Sequence, residues 1–197
     1  MNRIELLATA LTILSVWLST REKIASWPTA LVGVSLYFVV FLQARLYAAM
    51  GLQVFYFSFS IYGWYQWKFG GTNRSELHVG RATRRHAVWL IPLGVLGAGT
   101  LGLVLARTTD AALPWVDAAV ASTSLVAQWM MTRKLLESWL IWIAVNIVSI
   151  PMYLSQGLLP TAALYGVLLV LAIQGYVQWR RSYLRVGPPP MPSPAPA

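Results

Sequence analysis

Residues 53–67 are QVFYFSFSIYGWYQW, and 112 positions later residues 165–179 are YGVLLVLAIQGYVQW. In the first stretch Gln53, Tyr56, Ser60, Gly63 and Trp67 recur at steps of three and four, which is one face of a helix. Both stretches end in G-x-x-Q-W. The match extends without a gap, pairing 5–68 with 117–180, and 12 of the 64 positions are identical. Trp17 falls on Trp129, Trp27 on Trp139, Trp67 on Trp179 and Arg21 on Arg133, while Glu5/Asp117 and Lys68/Arg180 keep their charge. A repeat of this length implies that one folding unit occurs twice.

The units are too apolar for water. Of the 197 residues, 57% belong to the hydrophobic set and 11% are charged, against about 45–50% and 25% in soluble domains. A bilayer-crossing helix needs about 20 mainly apolar residues. Seven stretches qualify: 5–19, 28–44, 50–67, 87–106, 117–131, 138–153 and 161–178. The first lacks the basic lead and cleavage site of a signal peptide and is kept as a helix. The expected fold is an all-α integral membrane protein with seven transmembrane helices, two three-helix repeats joined by a linker helix (3+1+3). Four spans separate equivalent helices, so the repeats are parallel, a plan that transporters use. The divisions are 1–68 for repeat 1, 69–116 for a basic loop and the linker helix, 117–181 for repeat 2, and 182–197 for a Pro-rich disordered tail.

With seven spans, Arg3, Arg45 and Arg107 lie on one face of the membrane and the other twelve Lys and Arg residues on the opposite face. The positive-inside rule then puts the N-terminus outside and the C-terminus in the cytoplasm. It also accounts for the net charge of +9 without a nucleic-acid partner. Cysteine is absent, histidine occurs only at His78 and His86, and there are six acids, too few to suggest a metal or acid–base centre. No phosphate-binding loop, nucleophile elbow or metal-ligand pair is present, so neither an enzyme nor a cofactor is expected.

Polar groups inside a span tend to face the protein interior. On the sixth span Trp139, Trp142, Asn146, Ser149 and Tyr153 share one face. The seventh contributes Tyr165, Gln174 and Gln178, and the fifth Ser124 and Gln128. The repeat matches Gln53 with Tyr165 and Tyr62 with Gln174. Asn146 and Gln53 are read as ligand-binding amides beside an aromatic wall of Trp139 and Trp142. Ser60 and Ser149 are read as helix–helix contacts, Trp27, Trp67 and Trp179 as an interfacial belt, and Glu5 and Asp117 as helix N-terminal acids. No Asp, Glu, Lys, Arg or His sits mid-span, which disfavours a proton relay and suggests a facilitator without ion coupling. An aromatic, uncharged path suits a flat heterocycle, and a cationic ring would gain from the Trp and Tyr faces.

The run LYAAMGLQVFYFSFSIYGWYQW at 46–67 and the run MTRKLLESWLIWIAVN at 131–146 resemble the signatures of the PnuC-type vitamin transporters, a family similar in fold to the SWEET sugar transporters. The resemblance extends from the first helix to Trp179. It implies seven helices in a 3+1+3 arrangement in a bacterial inner membrane. It implies import of nicotinamide riboside by facilitated diffusion, trapped by a cytoplasmic kinase, and assembly as a homotrimer. Trp139, Trp142 and Asn146 would hold the ligand from the sixth helix, with Gln53, Tyr56 and the aromatics Tyr62 and Trp64 from the third. Gln174 stands where other members carry asparagine. Some relatives carry thiamine or riboflavin instead, and both nicotinamide riboside and thiamine are cationic aromatic rings. A SWEET-like sugar carrier and a membrane protein without transport are the more distant alternatives.

Overall fold

The computed structural model describes residues 3–43, 47–109 and 113–186. Among these residues it has seven α-helices: α1 (Arg3–Thr20), α2 (Ser26–Gln43), α3 (Tyr47–Phe69), α4 (Arg84–Thr108), α5 (Pro114–Thr132), α6 (Ser138–Ser155) and α7 (Leu159–Val186). Each contains the core of one expected span. The helices run further than the spans because polar and aromatic flanks extend them past the hydrocarbon layer. Pro28, Pro114 and Pro160 fall in the first turns of α2, α5 and α7, where a missing N–H costs nothing. The expected tail at 182–197 is corrected in part: α7 continues to Val186, carried on by Ser182, Tyr183, Leu184 and Arg185. The remainder, 187–197, lies outside the described residues.

Five helices, α1, α2, α4, α6 and α7, are long and apolar enough to cross a membrane. The tyrosines, glutamines and serines of α3 and α5 keep those two below that threshold. Neighbouring helices follow the order α1, α2, α3, α5, α6, α7 and return to α1. α4 packs on α5, outside this ring. Its contact face is small: Gly94 lies against Val126, Gly97 against Ser122 and Gly102 against the Trp115 ring. The rest of α4, including Trp89 at 72% exposure and Val95 at 66%, is an apolar surface that only lipid or another apolar partner can cover.

Side chains fold the ring shut at one end, the end that carries the α1–α2, α3–α4 and α5–α6 connections and most of the basic residues. Four tryptophans, each no more than 2% exposed, meet there. Trp27 meets Trp67 edge-on at 5.2 Å, Trp67 meets Trp179 at 5.6 Å, and Trp179 meets Trp139 edge-on at 5.4 Å. Such contacts are each worth about 0.5–1.5 kcal/mol beyond the area they bury. The Trp67 indole N–H donates to the Met131 carbonyl at 3.0 Å, and Trp179 donates to the Ser19 carbonyl at 2.9 Å. The two bonds are equivalent under the repeat: the donors Trp67 and Trp179, and the acceptors Ser19 and Met131, are each 112 positions apart. The belt reading of Trp27, Trp67 and Trp179 is therefore corrected. Each indole has a face to pack against, and two have a carbonyl to bond, inside the protein.

Two glycines make the tetrad fit. A Cβ on Gly63 would lie 2.3 Å from the Trp27 ring, and one on Gly175 would lie 2.5 Å from the Trp139 ring. Gly63→Val and Gly175→Val should each lower stability by about 1–3 kcal/mol through overpacking. Gly51→Ala on the same helix as Gly63 meets nothing within 4 Å and should be neutral or stabilising by up to about 1 kcal/mol. Melting in detergent, followed by tryptophan emission, checks the contrast. Equal melting points for Gly51→Ala and Gly63→Val would refute it.

Candidate functional site

The tight turns after α1 and α5 occupy equivalent places in the two halves. Glu22 has φ 56° and Lys134 φ 54°, a left-handed conformation that non-glycine residues adopt only when their surroundings hold them. The two side chains meet across the closed end, with Lys134 Nζ 2.9 Å from Glu22 Oε2. Lys134 is 6% exposed. Its ammonium also donates to the Leu77 carbonyl at 2.9 Å and lies over the Trp67 ring at 4.9 Å. An ammonium that far out of water needs such partners. The offset of 112 pairs these positions, so opposite charges at matched turns were a sequence signal for this contact.

The α3–α4 connection is stitched over the same end. Gly80 N–H donates to the Lys134 carbonyl at 3.1 Å, and Leu136 N–H donates to the Gly80 carbonyl at 2.9 Å. Glu137 accepts from Arg81 Nε at 2.9 Å and from the Ala82 N–H at 2.7 Å. Glu137 raises the exposed Arg81 guanidinium further above its ordinary value, by hydrogen bond and by charge. Three connections thus form one cap over the tryptophans.

Behind the cap, α6 presents the aromatic and amide face. Trp139 is 1% exposed, Asn146 2% and Ser149 0%. Trp142 is half-buried against the tryptophan cluster. Trp139 Nε1 and Ser149 Oγ have no partner among the described residues, although buried polar groups are usually paired. Across the interior, the Tyr56 phenol on α3 faces the Ser124 hydroxyl on α5. The Tyr153 and Tyr165 rings pack on each other at a tilt, with centroids 5.0 Å apart. Tyr56 is close enough to both to interact electrostatically. Side chains from α3, α5, α6 and α7 therefore converge on one interior space of packed phenols and a hydroxyl, and the α6 amide and indoles lie on the same helix face as Tyr153.

The nine expected ligand residues are not all in that space. Gln53 and Gln128 are half-buried on α3 and α5. Tyr62 is half-buried further toward the cap, with Arg133 5.5 Å over its ring. Trp139 is packed in the tetrad. Trp64 is 40% exposed and Gln174 is exposed. Each neighbours the glycine that touches a tryptophan, so about a 100° helical step turns it from the tetrad. The two recorded cavities, of about 660 and 290 Å³, lie between α3, α4 and α5, and none of the nine residues lines them.

Comparisons with known proteins agree with this architecture. The family model described as nicotinamide mononucleotide transporter matches residues 2–181. The nicotinamide riboside transporter PnuC of Escherichia coli (strain K12) is 30% identical over 204 residues, covering 91% of this chain and 85% of the relative. The riboflavin/roseoflavin transporter RibM of Streptomyces davaonensis is 24% identical over 181 residues, covering 89% and 83%. The crystal structure of the vitamin B3 transporter PnuC superposes with a TM-score of 0.73 at 26% identity, covering 92% of this chain and 82% of that one. Helices apolar enough to cross a bilayer, a ring closed by tryptophans at one end, and a match along nearly the whole length all agree: the chain belongs to the nicotinamide mononucleotide transporter family of membrane transporters, the PnuC family.

Proposed function

We propose that this chain imports nicotinamide riboside across a bacterial inner membrane by facilitated diffusion. The observation that carries the reading is the uncharged face of Trp142, Asn146 and Ser149 behind a closed cap. It is supported by the riboside transporter from Escherichia coli as a 30% identical relative. Half-buried Trp142 offers a ring face to the cationic pyridinium, a contact worth about 0.5–2 kcal/mol. The Asn146 amide and the unpaired Ser149 hydroxyl suit ribose hydroxyls, which both donate and accept. Gln53, Tyr56, Tyr62, Trp64, Gln128, Trp139 and Gln174 complete the proposed set, with Trp64 and Gln174 reaching cargo only if their helices rotate during transport.

In this reading all seven helices cross the membrane as two parallel repeats, α1–α3 and α5–α7, with α4 as the link. The division of the chain is 1–68, 69–116, 117–181 and a tail from 182. The N-terminus is outside, and the cap closes the cytoplasmic end. The halves rock about the site. Opening the cap separates Glu22 from Lys134 and parts the tryptophan pairs that join the two halves. With no Asp, Glu, Lys, Arg or His among the described residues between the halves at the level of Asn146, flux follows the cargo gradient alone, and phosphorylation by a cytoplasmic kinase keeps that gradient inward. A homotrimer is the assembly proposed.

The RibM relative favours one second reading, riboflavin as cargo; thiamine is the other vitamin to test. Riboflavin is neutral and gains little from a cation–π wall, so competition separates the three. Proteoliposomes loaded with unlabelled nicotinamide riboside should accumulate labelled riboside by counterflow. Excess riboflavin should compete at least about tenfold less well, the discrimination expected from about 1.4 kcal/mol of lost cation–π contact, and thiamine, cationic but without ribose hydroxyls for Asn146 and Ser149, should also compete less well than the riboside. Collapsing proton and sodium gradients should leave the rate unchanged. Stronger competition by riboflavin would reassign the cargo, and dependence on either gradient would refute the facilitator.

A further inference from the structure

We propose that the groove between α3, α4 and α5 is a binding site for an anionic phospholipid from the leaflet at the capped end. Among the described helices α4 packs chiefly on α5, which leaves a cavity of about 660 Å³ open to the side. Its wall is apolar, with Phe55, Phe59, Trp89, Leu93 and Val126 among the residues. Through His86 and Trp129 it joins the 290 Å³ pocket that holds Gln66 and Arg133. The groove is therefore greasy along its length and basic at its mouth, where Arg85, His86 and Arg133 gather.

Its length fits one leaflet. From Arg85 to Gly97, α4 rises about 18 Å, and half the hydrocarbon core of a bilayer is about 15 Å. The basic groups are held in place. His86 Nδ1 accepts from the Thr83 N–H at 3.0 Å, which leaves the second ring nitrogen for a ligand. The Arg133 guanidinium stands over the rings of Tyr62 and Trp129 at 5.5 and 5.6 Å. No acid is among the described residues lining either cavity.

Charge decides against a second copy of the chain as the occupant. Of the six acids, Glu22 and Glu137 are already paired. Glu5 and Asp117 start helices at the opposite end, and Asp110 lies outside the described residues. Only Glu76 is left near the cap to meet three basic groups. A phosphate with two acyl chains matches both parts of the groove.

Native mass spectrometry of the full chain in detergent, titrated with phosphatidylglycerol and phosphatidylcholine of equal chain length, tests the site. Phosphatidylglycerol should be retained about ten- to thirtyfold more, the preference two arginines near an anionic headgroup provide. The Arg85→Gln/Arg133→Gln pair should bring the two lipids to parity, and Arg85→Lys/Arg133→Lys should keep the preference. Leu93→Trp, which fills the groove, should lower retention of both. Transport enters none of these readouts. Equal retention by the parent chain, unchanged preference in the glutamine pair, or displacement of lipid by glycerol phosphate alone would each overturn the proposal. So would capture of a second copy by a photo-crosslinker at position 93.

Discussion

A Glu22→Lys variant should melt well below the parent, and adding Lys134→Glu should restore most of the loss. The parent pair sits at 2.9 Å with side-chain exposures of 23% for Glu22 and 8% for Lys134. Removing one partner of a fully buried pair costs about 3–5 kcal/mol. Glu22 is partly solvated and Lys134 keeps the Leu77 carbonyl, so about 2–3 kcal/mol is expected here. Placing a second ammonium at the site adds like-charge repulsion. The charge swap keeps both turns and both φ values, which isolates the ion pair from backbone strain. Because the pair joins the two halves, Glu22→Lys should also make the capped end easier to open. A cysteine placed in the tetrad region should then react faster with a thiol reagent added from that side. A swap variant no more stable than either single variant would dismiss the pair as the clasp.

The repeat and the hydrophobic runs were enough to locate the seven described α-helices, because the bilayer imposes one secondary structure and one length on any apolar stretch. They were also enough to pair Trp67 with Trp179. What they could not provide was direction. Trp27, Trp67 and Trp179 fall at span ends, where a lipid-facing belt and a closed core share the same spacing. The glycines opposite Trp27 and Trp139 decide for the core. Trp64 and Gln174 show the same ambiguity. Each lies one residue from a contact glycine, and one residue is about 100° of rotation. The α3–α4–α5 groove was invisible because it depends on α4 standing off from α3, a tertiary choice without a local sequence signature. The expected tail begins at 182, before α7's end at Val186, because Tyr183 and Leu184 continue a helix that composition alone assigned to the Pro-rich segment.

Symmetry also separates closure from cargo. The contacts of the cap come in matched pairs: Gly63 with Gly175, Trp27 with Trp139, Ser19 with Met131. The proposed site does not. The positions equivalent to Trp142 and Asn146 are Ala30 and Val34, so the first repeat has neither the amide nor the indole. Asn146→Leu should accordingly lower riboside uptake by about ten- to a hundredfold, the effect of losing one or two hydrogen bonds to cargo at about 1–3 kcal/mol. Leucine is close in size, and 2% exposure makes an apolar residue acceptable, so the melting point should hold. Trp142→Ala should cost about tenfold and Trp142→Phe less, since phenylalanine retains a weaker cation–π face. Val34→Leu, the matched change on α2, should leave uptake within about twofold. Uptake that survives both Asn146→Leu and Trp142→Ala would remove the site from α6. Equal losses at Val34 and Asn146 would mean that packing near the midplane, and not recognition, limits the flux.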